Sequence, residues 1–241
     1  MTTIRLNKFL AQVTPLSRRA ADRAIAVGEI AVDGRVVTAL GARIDPRRDR
    51  VAWKGRSLRR GSSAPIYLAF YKPRNTLVTK SDPRGRPTIW DRLARYRDRC
   101  DAVGRLDFAS EGLLLITDDG AWIARLTHPR YAVPKAYHVK VRGAPSPAAI
   151  ERMAGGVTLA GERLQPLAVR ALSRTGANTW LEICLSEGKY REIRRLCETM
   201  GHPVAKLRRV AVGPIRLGRL KVGEVRRLHP REIAALRREI S

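Results

Sequence analysis

Hydrophobic and polar positions along the first 60 residues predict two short helices followed by a hairpin. The first helix is amphipathic, with apolar residues at Ile4, Leu6, Phe9 and Leu10. Ser17 can cap a second helix over residues 18–27, which Gly28 ends. An Asp-Gly pair between β-forming residues then indicates a tight hairpin over residues 30–37. Residues 1–60 are therefore predicted to form one small domain.

The pattern changes after residues 61–65, whose small and polar side chains are typical of a linker. Beyond this segment, apolar runs that predict buried strands and alternating runs that predict half-buried strands are interleaved with helical patterns. The strands are predicted at residues 66–71, 113–117, 136–142 and 181–185, and the helices at residues 146–153, 190–200 and 229–240. This mixture predicts an α+β domain over residues 66–241.

The charge of the chain limits its partners. Among 241 residues, Lys and Arg number 48 and Asp and Glu 22, so the net charge of +26 favours a polyanionic partner such as nucleic acid. No apolar run approaches the roughly 20 residues that span a bilayer, and the N-terminus lacks the apolar segment of a secretory signal. The three cysteines follow no metal-ligand spacing, as expected in a reducing cytoplasm. These features predict a cytoplasmic nucleic-acid-binding protein with no metal site, no disulfide and no membrane association.

The segment GRLDFASEGLLLIT, residues 104–117, contains the first candidate for chemistry. Asp107 precedes an aliphatic strand, and an aspartate in that position is most often a turn or capping residue. Three neighbouring features favour a catalytic role instead. Arg105 puts a positive charge nearby, glycines at 104 and 112 permit tight turns, and the strand provides a rigid base. On spacing alone, both interpretations of Asp107 stay open.

Two further candidates come from a predicted strand and a predicted helix. Tyr137 shares a strand face with two valines, as a core tyrosine would, yet an aromatic ring there could also stack on a base. The buried stripe of the helix consists of Ile193, Leu196, Cys197 and Met200. Arg191 and Arg195 are predicted to point away from this stripe. Arg194 lies at its margin, where an arginine can either cover apolar surface or pair with a carboxylate in a half-buried site.

The order of elements in residues 1–60 resembles the RNA-binding domain named after ribosomal protein S4, over the stretch RLNKFLAQV…SRRAADRAIAVGEIAVDGRVV. In that family the two helices and the following loop form a basic face against structured RNA. The resemblance therefore implies recognition of RNA phosphates and RNA shape. The basic residues that fall in the matching helices are Arg5, Lys8, Arg18, Arg19 and Arg23.

Four motifs in the rest of the chain resemble those of the bacterial ribosomal RNA pseudouridine synthases, which modify small- and large-subunit RNA. They are KPRNTLVTKSDPRGRPTIWD (72–91), VGRLDFASEGLLLITDDG (103–120), KAYHV (135–139) and EGKYREIRRL (187–196). The Arg-Leu-Asp step is the most specific of them, and the combined resemblance covers roughly residues 4–228. It implies an α+β synthase domain with a mixed or antiparallel sheet and flanking helices, joined to the S4-type domain.

The resemblance also implies a mechanism. These enzymes detach uracil from ribose, turn the base within the site and rejoin it through carbon 5, with no cofactor or metal. Asp107 matches the catalytic aspartate, whose first step is either attack on ribose or proton abstraction. Tyr137 matches a tyrosine that packs against the target base, and Arg194 matches a basic residue that pairs with the aspartate. Arg105 matches a residue that can occupy the gap left by the flipped nucleotide.

The target RNA stays open at this stage. The EGKY part of the last motif is similar to members that act on small-subunit 16S RNA, and REIRRL is similar to members that act on large-subunit 23S RNA, which is slightly favoured. Naked ribosomal RNA and a ribosomal assembly intermediate both fit as partners, and a single-chain active site predicts a monomer. The alternative function is a non-catalytic RNA-binding or ribosome-assembly protein, which the S4-type domain and the charge alone would support.

Overall fold

The computed structural model describes residues 3–14, 16–58 and 64–240, and the chain divides into two compact units, Met1–Pro65 and Ile66–Ser241. Each unit has its own hydrophobic core. Of the linker predicted at residues 61–65, residues 61–63 lie outside the described part of the chain. Across the described residues, no helix combines the length and the apolar character needed to cross a membrane.

The first unit combines two helices with short antiparallel strands. Its elements are β1 (Ile4–Arg5), α1 (Leu6–Val13), α2 (Arg18–Ala26), β2 (Ile30–Val32), β3 (Arg35–Val36), β4 (Arg43–Ile44), β5 (Val51–Trp53) and β6 (Arg56–Leu58). Four strands form a sheet in the order β3-β2-β5-β6, and β1 pairs separately with β4. Apolar residues from both helices and from β2, β4 and β5 form the core.

The predicted second helix and hairpin of this unit are confirmed. The Ser17 hydroxyl accepts a hydrogen bond from the backbone N–H of Ala20 at 3.1 Å, which caps the start of α2. Asp33 and Gly34 join β2 to β3 with φ angles of 48° and 79°, the backbone of a type I′ turn. Both elements therefore follow from local sequence signals.

The start of the first helix differs from the prediction. Ile4 and Arg5 form β1, which pairs antiparallel with β4 so that Ile4 lies opposite Ile44. Helix α1 begins at Leu6, and Arg5 has extended backbone (φ −64°, ψ 136°) immediately before it. Arg5 therefore does not lie in a helix, because its backbone is used in pairing with a strand that is distant in the sequence.

The second unit is built on one large sheet. Its strands are β7 (Tyr67–Lys72), β8 (Asp101–Ala102), β9 (Glu111–Thr117), β10 (Lys135–Arg142), β11 (Val157–Leu159), β12 (Glu162–Leu164), β13 (Ala168–Thr175), β14 (Asn178–Leu185), β15 (Val204–Val212), β16 (Ile215–Arg216) and β17 (Val225–Arg227). Its helices are α3 (Gly120–Thr127), α4 (Pro147–Gly155), α5 (Glu192–Thr199) and α6 (Pro230–Glu239), with short 3-10 helices at Ile89–Asp91, Ala94–Tyr96 and Pro129–Tyr131.

The sheet order is β13-β14-β10-β15-β9-β7-β17, with β16 beside β15 and β8 beside β9, while β11 and β12 form a separate hairpin. Neighbouring strands run antiparallel except β9 and β15, which pair in parallel with Glu111 opposite Arg208 and Gly112 opposite Arg209. The predicted α+β class with a mixed sheet and flanking helices is confirmed.

Strand β9 is apolar on both faces because both faces are covered. Leu113 and Leu115 pack with residues of α3 and α6, whereas Leu114 and Ile116 pack with the 3-10 helix Ile89–Asp91. All seven residues of β9 are buried. The strand that follows Asp107 is therefore anchored in two hydrophobic clusters.

Strand β10 alternates because its apolar face packs against α4 and α5. The stripe predicted for α5 is confirmed, since Ile193, Leu196 and Cys197 are buried in the same cluster. The helix itself begins at Glu192, two residues later than predicted, because Arg191 has left-handed backbone with φ 47°.

Helix α3 is an element that the sequence patterns did not predict. Asp119 follows β9, and its carboxylate accepts hydrogen bonds from the N–H groups of Ala121 and Trp122, both at 3.1 Å. These bonds cap α3 and place its apolar face on the core.

Candidate active site

Four predicted site residues that are widely separated in the sequence line one cavity of the second unit: Arg105, Asp107, Tyr137 and Arg194. The cavity has a volume of about 490 Å³, within the range of sites that enclose a small molecule or a nucleotide. The tertiary structure therefore brings together the loop before β9, strand β10 and helix α5.

Asp107 lies in the loop that enters β9, and its side chain is exposed at the cavity. Its backbone carbonyl accepts a hydrogen bond from the N–H of Ser110 at 3.0 Å. The carbonyl of Phe108 accepts another from the N–H of Asn75 at 2.7 Å. Because these bonds and the buried strand fix the backbone, the carboxylate is presented on a rigid support.

A buried lysine supports this loop. Lys72, the last residue of β7, is fully buried, and its Nζ donates hydrogen bonds to the carbonyl oxygens of Ser110 at 2.7 Å and Pro73 at 2.9 Å. Burial lowers the pKa of Lys72 to about 8, while the negative charge of Asp107 acts in the opposite direction. Lys72 is not among the residues predicted from the sequence, although a charged residue at the end of a buried apolar strand was a signal that could have found it.

Tyr137 is both a core residue and part of the cavity wall. It is 7% exposed and packs in the cluster that contains Leu106 and Val139. In the sheet it lies opposite Ile183 of β14 on one side and opposite Arg209 of β15 on the other. Because β10 lies between β14 and β15 in the sheet, the ring of Tyr137 is held in place at the cavity wall.

Arg194 reaches the cavity from α5 and is half-buried. Its Nη2 lies 3.5 Å from the hydroxyl oxygen of Ser110, and its Nε is buried with no hydrogen-bond partner among the described residues. Burial and the positive charge of Arg191 lower the pKa of Arg194, and the charge of Asp107 opposes this effect. The resemblance implies that Arg194 pairs directly with Asp107. Among the described side chains, Arg194 instead contacts Ser110 and attracts Asp107 at longer range.

Helical periodicity misplaces one cationic residue of the site. It predicts that Arg191 points away from the buried stripe, but this residue precedes the first turn of α5 and lines the cavity. Tyr190, which is 79% exposed, and Phe108, which is 37% exposed, also line it. The cavity therefore offers cationic and aromatic groups suited to a nucleotide.

The predicted RNA-binding residues of the first unit lie at its surface. Lys8 is partly exposed, and the other four are exposed: Arg5, Arg18, Arg19 and Arg23. The Arg18 Nη2 also lies 3.5 Å from the side-chain oxygen of Asn7, and Asn7 donates a hydrogen bond to Asp22 at 2.8 Å. This pair of contacts orients Arg18 on the surface.

The chemical groups at the cavity define what it can do. Within the described residues, no group of three or more His, Cys, Asp or Glu side chains is arranged to hold a metal ion. The cavity is lined by two carboxylates, the exposed Asp107 and the buried Glu192, and by several guanidinium groups and aromatic rings. The Glu192 carboxylate accepts a hydrogen bond from the N–H of Lys189 at 3.1 Å, whereas the exposed carboxylate of Asp107 can act as a base or a nucleophile. The guanidinium groups can stabilise developing negative charge.

Comparison with known proteins assigns the family. The family model described as RNA pseudouridylate synthase matches residues 66–199, and the S4 domain model matches residues 4–51. The chain is 33% identical to ribosomal large subunit pseudouridine synthase B of Bacillus subtilis, over 97% of this chain and 95% of that protein. It is 40% identical to the protein of the same name from Pseudomonas aeruginosa, over 98% of this chain and 62% of that protein.

A solved structure agrees with this assignment. The crystal structure of a pseudouridylate synthase superimposes with a TM-score of 0.68 at 27% identity, over 97% of this chain and 99% of that one. The similarity therefore extends over both units of the chain. Together with the family models, it shows that the chain belongs to the RNA pseudouridine synthase family of isomerases and carries an S4 domain.

Proposed function

We propose that this chain converts a uridine of ribosomal RNA to pseudouridine, with Asp107 as the catalytic carboxylate. The observation that carries the proposal is the convergence of Asp107, Tyr137 and Arg194 on one cavity in a member of this family. RNA binding is assigned mainly to residues 1–60 and catalysis to residues 66–241. Every residue to which this proposal gives a role belongs to the same chain, and the proposed active species is a monomer.

The proposed reaction is an isomerisation, so atoms balance within one nucleotide. The bond between N1 of uracil and C1′ of ribose breaks, the base turns, and a bond between C5 and C1′ forms. The proton on C5 leaves and N1 gains a proton, so product and substrate have the same composition. The target nucleotide must leave the base stack because stacking shields the bond to be broken.

Each side chain has a role that its position allows. Asp107 begins the reaction, either by attack on ribose or by removing a proton from it. Breaking the bond to N1 builds negative charge on uracil, which Arg194 and Arg191 are placed to stabilise. Tyr137 packs against the base, and Arg105 fills the gap that the flipped nucleotide leaves.

Large-subunit ribosomal RNA is the proposed substrate. The relatives from Bacillus subtilis and Pseudomonas aeruginosa both carry the name ribosomal large subunit pseudouridine synthase B and match nearly all of this chain. Small-subunit RNA is the competing substrate, and both RNAs therefore enter the same experiment.

The test is pseudouridine mapping after incubation of the protein with large-subunit and small-subunit ribosomal RNA. We expect a new pseudouridine in the large-subunit RNA with the wild-type protein and none with Asp107→Asn, which removes the charge at nearly constant volume. RNA affinity should be nearly unchanged, because one exposed carboxylate adds little to binding of a polyanion. Arg174→Gln, an exposed residue outside the cavity, serves as the control that keeps activity.

Two results would contradict the proposal. A product on small-subunit RNA alone would move the substrate to that subunit. No product on either RNA, with equal binding by the wild type and Asp107→Asn, would favour the non-catalytic RNA-binding or assembly role.

A further inference from the structure

A second cavity lies next to the candidate active site in the second unit. It has a volume of about 310 Å³ and shares Arg105, Tyr137 and Lys189 with the first cavity. Tyr137 and Arg105 therefore form a common wall between the two. A polymer strand whose target base occupies the first cavity would pass along the second.

Arg209 gives this cavity a buried cation. The residue is 4% exposed, and its Nε donates a hydrogen bond to the carbonyl oxygen of Leu113 at 2.7 Å. Its Nη2 is buried and has no hydrogen-bond partner among the described residues. The bond to Leu113 fixes the side chain, and the two N–H donors of Nη2 stay without an acceptor among the described residues unless a group that enters the cavity displaces the atoms that cover them.

Lys135 places a second cation on the same face. Lys135 and Tyr137 are two positions apart on β10 and so point to the same side, and Arg209 of β15 lies opposite Tyr137. The Nζ of Lys135 donates hydrogen bonds to the carbonyl oxygens of Val133 at 2.9 Å and Ser186 at 3.1 Å, which leaves one of its three protons. Burial and, less strongly, repulsion by the charge of Arg209 lower the pKa of Lys135, and the negative charges of Glu192 and Glu187 oppose this effect without cancelling it.

Carboxylates do not balance these charges within the cavity. Glu187 is the acidic residue in its lining, and its carboxylate lies 3.6 Å from the ammonium group of Lys189. Counted over Lys, Arg, Asp and Glu, the cationic lining residues Arg105, Lys135, Lys189 and Arg209 outnumber Glu187 by three charges. A purely structural role for the buried Arg209 does not account for Lys135, a second and half-buried cation on the same face. An anion between Lys135 and Arg209 would use the free donors and remove the repulsion.

We propose that the second cavity binds the phosphodiester group next to the target uridine, held between Arg209 and Lys135, and so fixes the strand while the base occupies the first cavity. This inference rests on the proposed function, which supplies the RNA strand. A phosphodiester carries one negative charge and two free oxygens, which match the two cationic donors. It is a positioning site, because neither residue contacts the reacting atoms.

The experiment is a binding titration of the full chain with the ribosomal RNA fragment that it modifies or, if it modifies none, the fragment that it binds most tightly. Single phosphodiesters around the target are replaced by neutral methylphosphonates, with a 2′-O-methyl group at each substituted position in all RNAs. We expect one linkage at which the substitution weakens wild-type binding by roughly 10- to 100-fold, as for loss of charge-assisted hydrogen bonds.

The protein variants identify the cavity that causes this weaker binding. In Lys135→Met and in Arg209→Lys, the same methylphosphonate should weaken binding by less than about 3-fold, because the contact is already impaired. Arg174→Gln, which removes one exposed positive charge outside both cavities, should behave as the wild type. If Arg209→Lys does not fold, Lys135→Met alone decides the matter.

The proposal would be overturned if the methylphosphonate at every linkage weakened binding by the same factor in the wild type, in Lys135→Met and in Arg209→Lys. That failure is distinct from failure of the proposed function, which would show as the absence of pseudouridine with the wild-type protein, whatever the binding data.

Discussion

Gly112 of β9 lies so close to Arg209 of β15 that a β-carbon on the glycine would stand 2.2 Å from the carbonyl oxygen of Arg209. The two residues face each other where β9 and β15 pair in parallel. Gly112 also has φ +110°, a conformation that other residues rarely adopt. This close approach joins the strand behind the Asp107 loop to the strand that carries Arg209.

Gly112→Ala should destabilise the second unit by at least about 3 kcal/mol, because the methyl group forces the two strands apart and strains the backbone. Urea denaturation followed by circular dichroism measures the change. The matched control is Gly120→Ala at the start of α3, where a β-carbon meets nothing within 4 Å and should be neutral or slightly stabilising. Equal stability of the two variants would show that the strands separate at little cost.

The lowered pKa of Lys72 leads us to expect that activity falls and stability rises as the pH increases. As pH rises through the pKa of about 8, the Lys72 ammonium group loses its proton and with it the positive charge that attracts Asp107, so the single-turnover rate should fall. Between that pKa and the ordinary value of 10.5, the unfolded chain binds a proton that the folded chain does not, so the free energy of unfolding should rise with pH.

Lys72→Met tests both signs. Its rate should be low and independent of pH between about pH 6.5 and 9, and its stability should no longer rise above pH 8. Lys221→Met, at an exposed position outside both cavities, should keep the wild-type profiles. A wild-type rate that stays constant through pH 8 would argue against an electrostatic role for Lys72.

Arg194→Met should separate activity from stability. Loss of the guanidinium group from the cavity should lower the single-turnover rate by about 100-fold or more. The free energy of unfolding should rise by about 1 kcal/mol, since Nε is buried without a partner among the described residues. Arg195→Met on the same helix is the control. Arg195 lies outside the cavity and forms an ion pair with Glu162, with 2.5 Å between Nη1 and Oε2. This substitution should lower stability slightly and leave the rate unchanged.

Tyr137 should act through its ring. Tyr137→Phe keeps the ring and should retain most of the activity, whereas Tyr137→Leu should weaken binding of the target by about 1–3 kcal/mol because it can no longer stack on the base. Parallel measurements of RNA affinity and single-turnover rate compare the two. Similar defects in both variants would assign the contribution to the hydroxyl group instead.

The first unit should contribute affinity by neutralising RNA phosphates. Replacing the exposed residues Arg18, Arg19 and Arg23 by Gln should reduce the slope of log affinity against log salt by roughly 0.7–0.9 for each phosphate that is no longer neutralised. The rate at saturating RNA should change little. The control for loss of positive charge is the double variant Arg152→Gln and Arg174→Gln, at exposed positions of the second unit outside both cavities. A collapse of the saturating rate would mean that the first unit positions the target uridine.

Local patterns in the sequence were sufficient to predict many of the helices, strands and turns. The cap at Ser17, the turn at Asp33 and Gly34 and the alternation of β10 depend on interactions within a few residues, so they can be recognised in a linear pattern. The Arg-Leu-Asp motif indicated Asp107 as a candidate, and the resemblance of the later motifs KAYHV and EGKYREIRRL implied roles for Tyr137 and Arg194 at the same site.

Tertiary structure alone decided which other groups surround these residues. The lowered pKa of Lys72, the contact of Arg194 with Ser110 and the approach of Arg209 to Gly112 each join segments that are distant along the chain. Burial, backbone proximity and electrostatic coupling depend on which strands become neighbours, and no local periodicity records that choice. For the same reason, the pairing of β1 with β4 removed Arg5 from the helix that its own neighbours in the sequence predict.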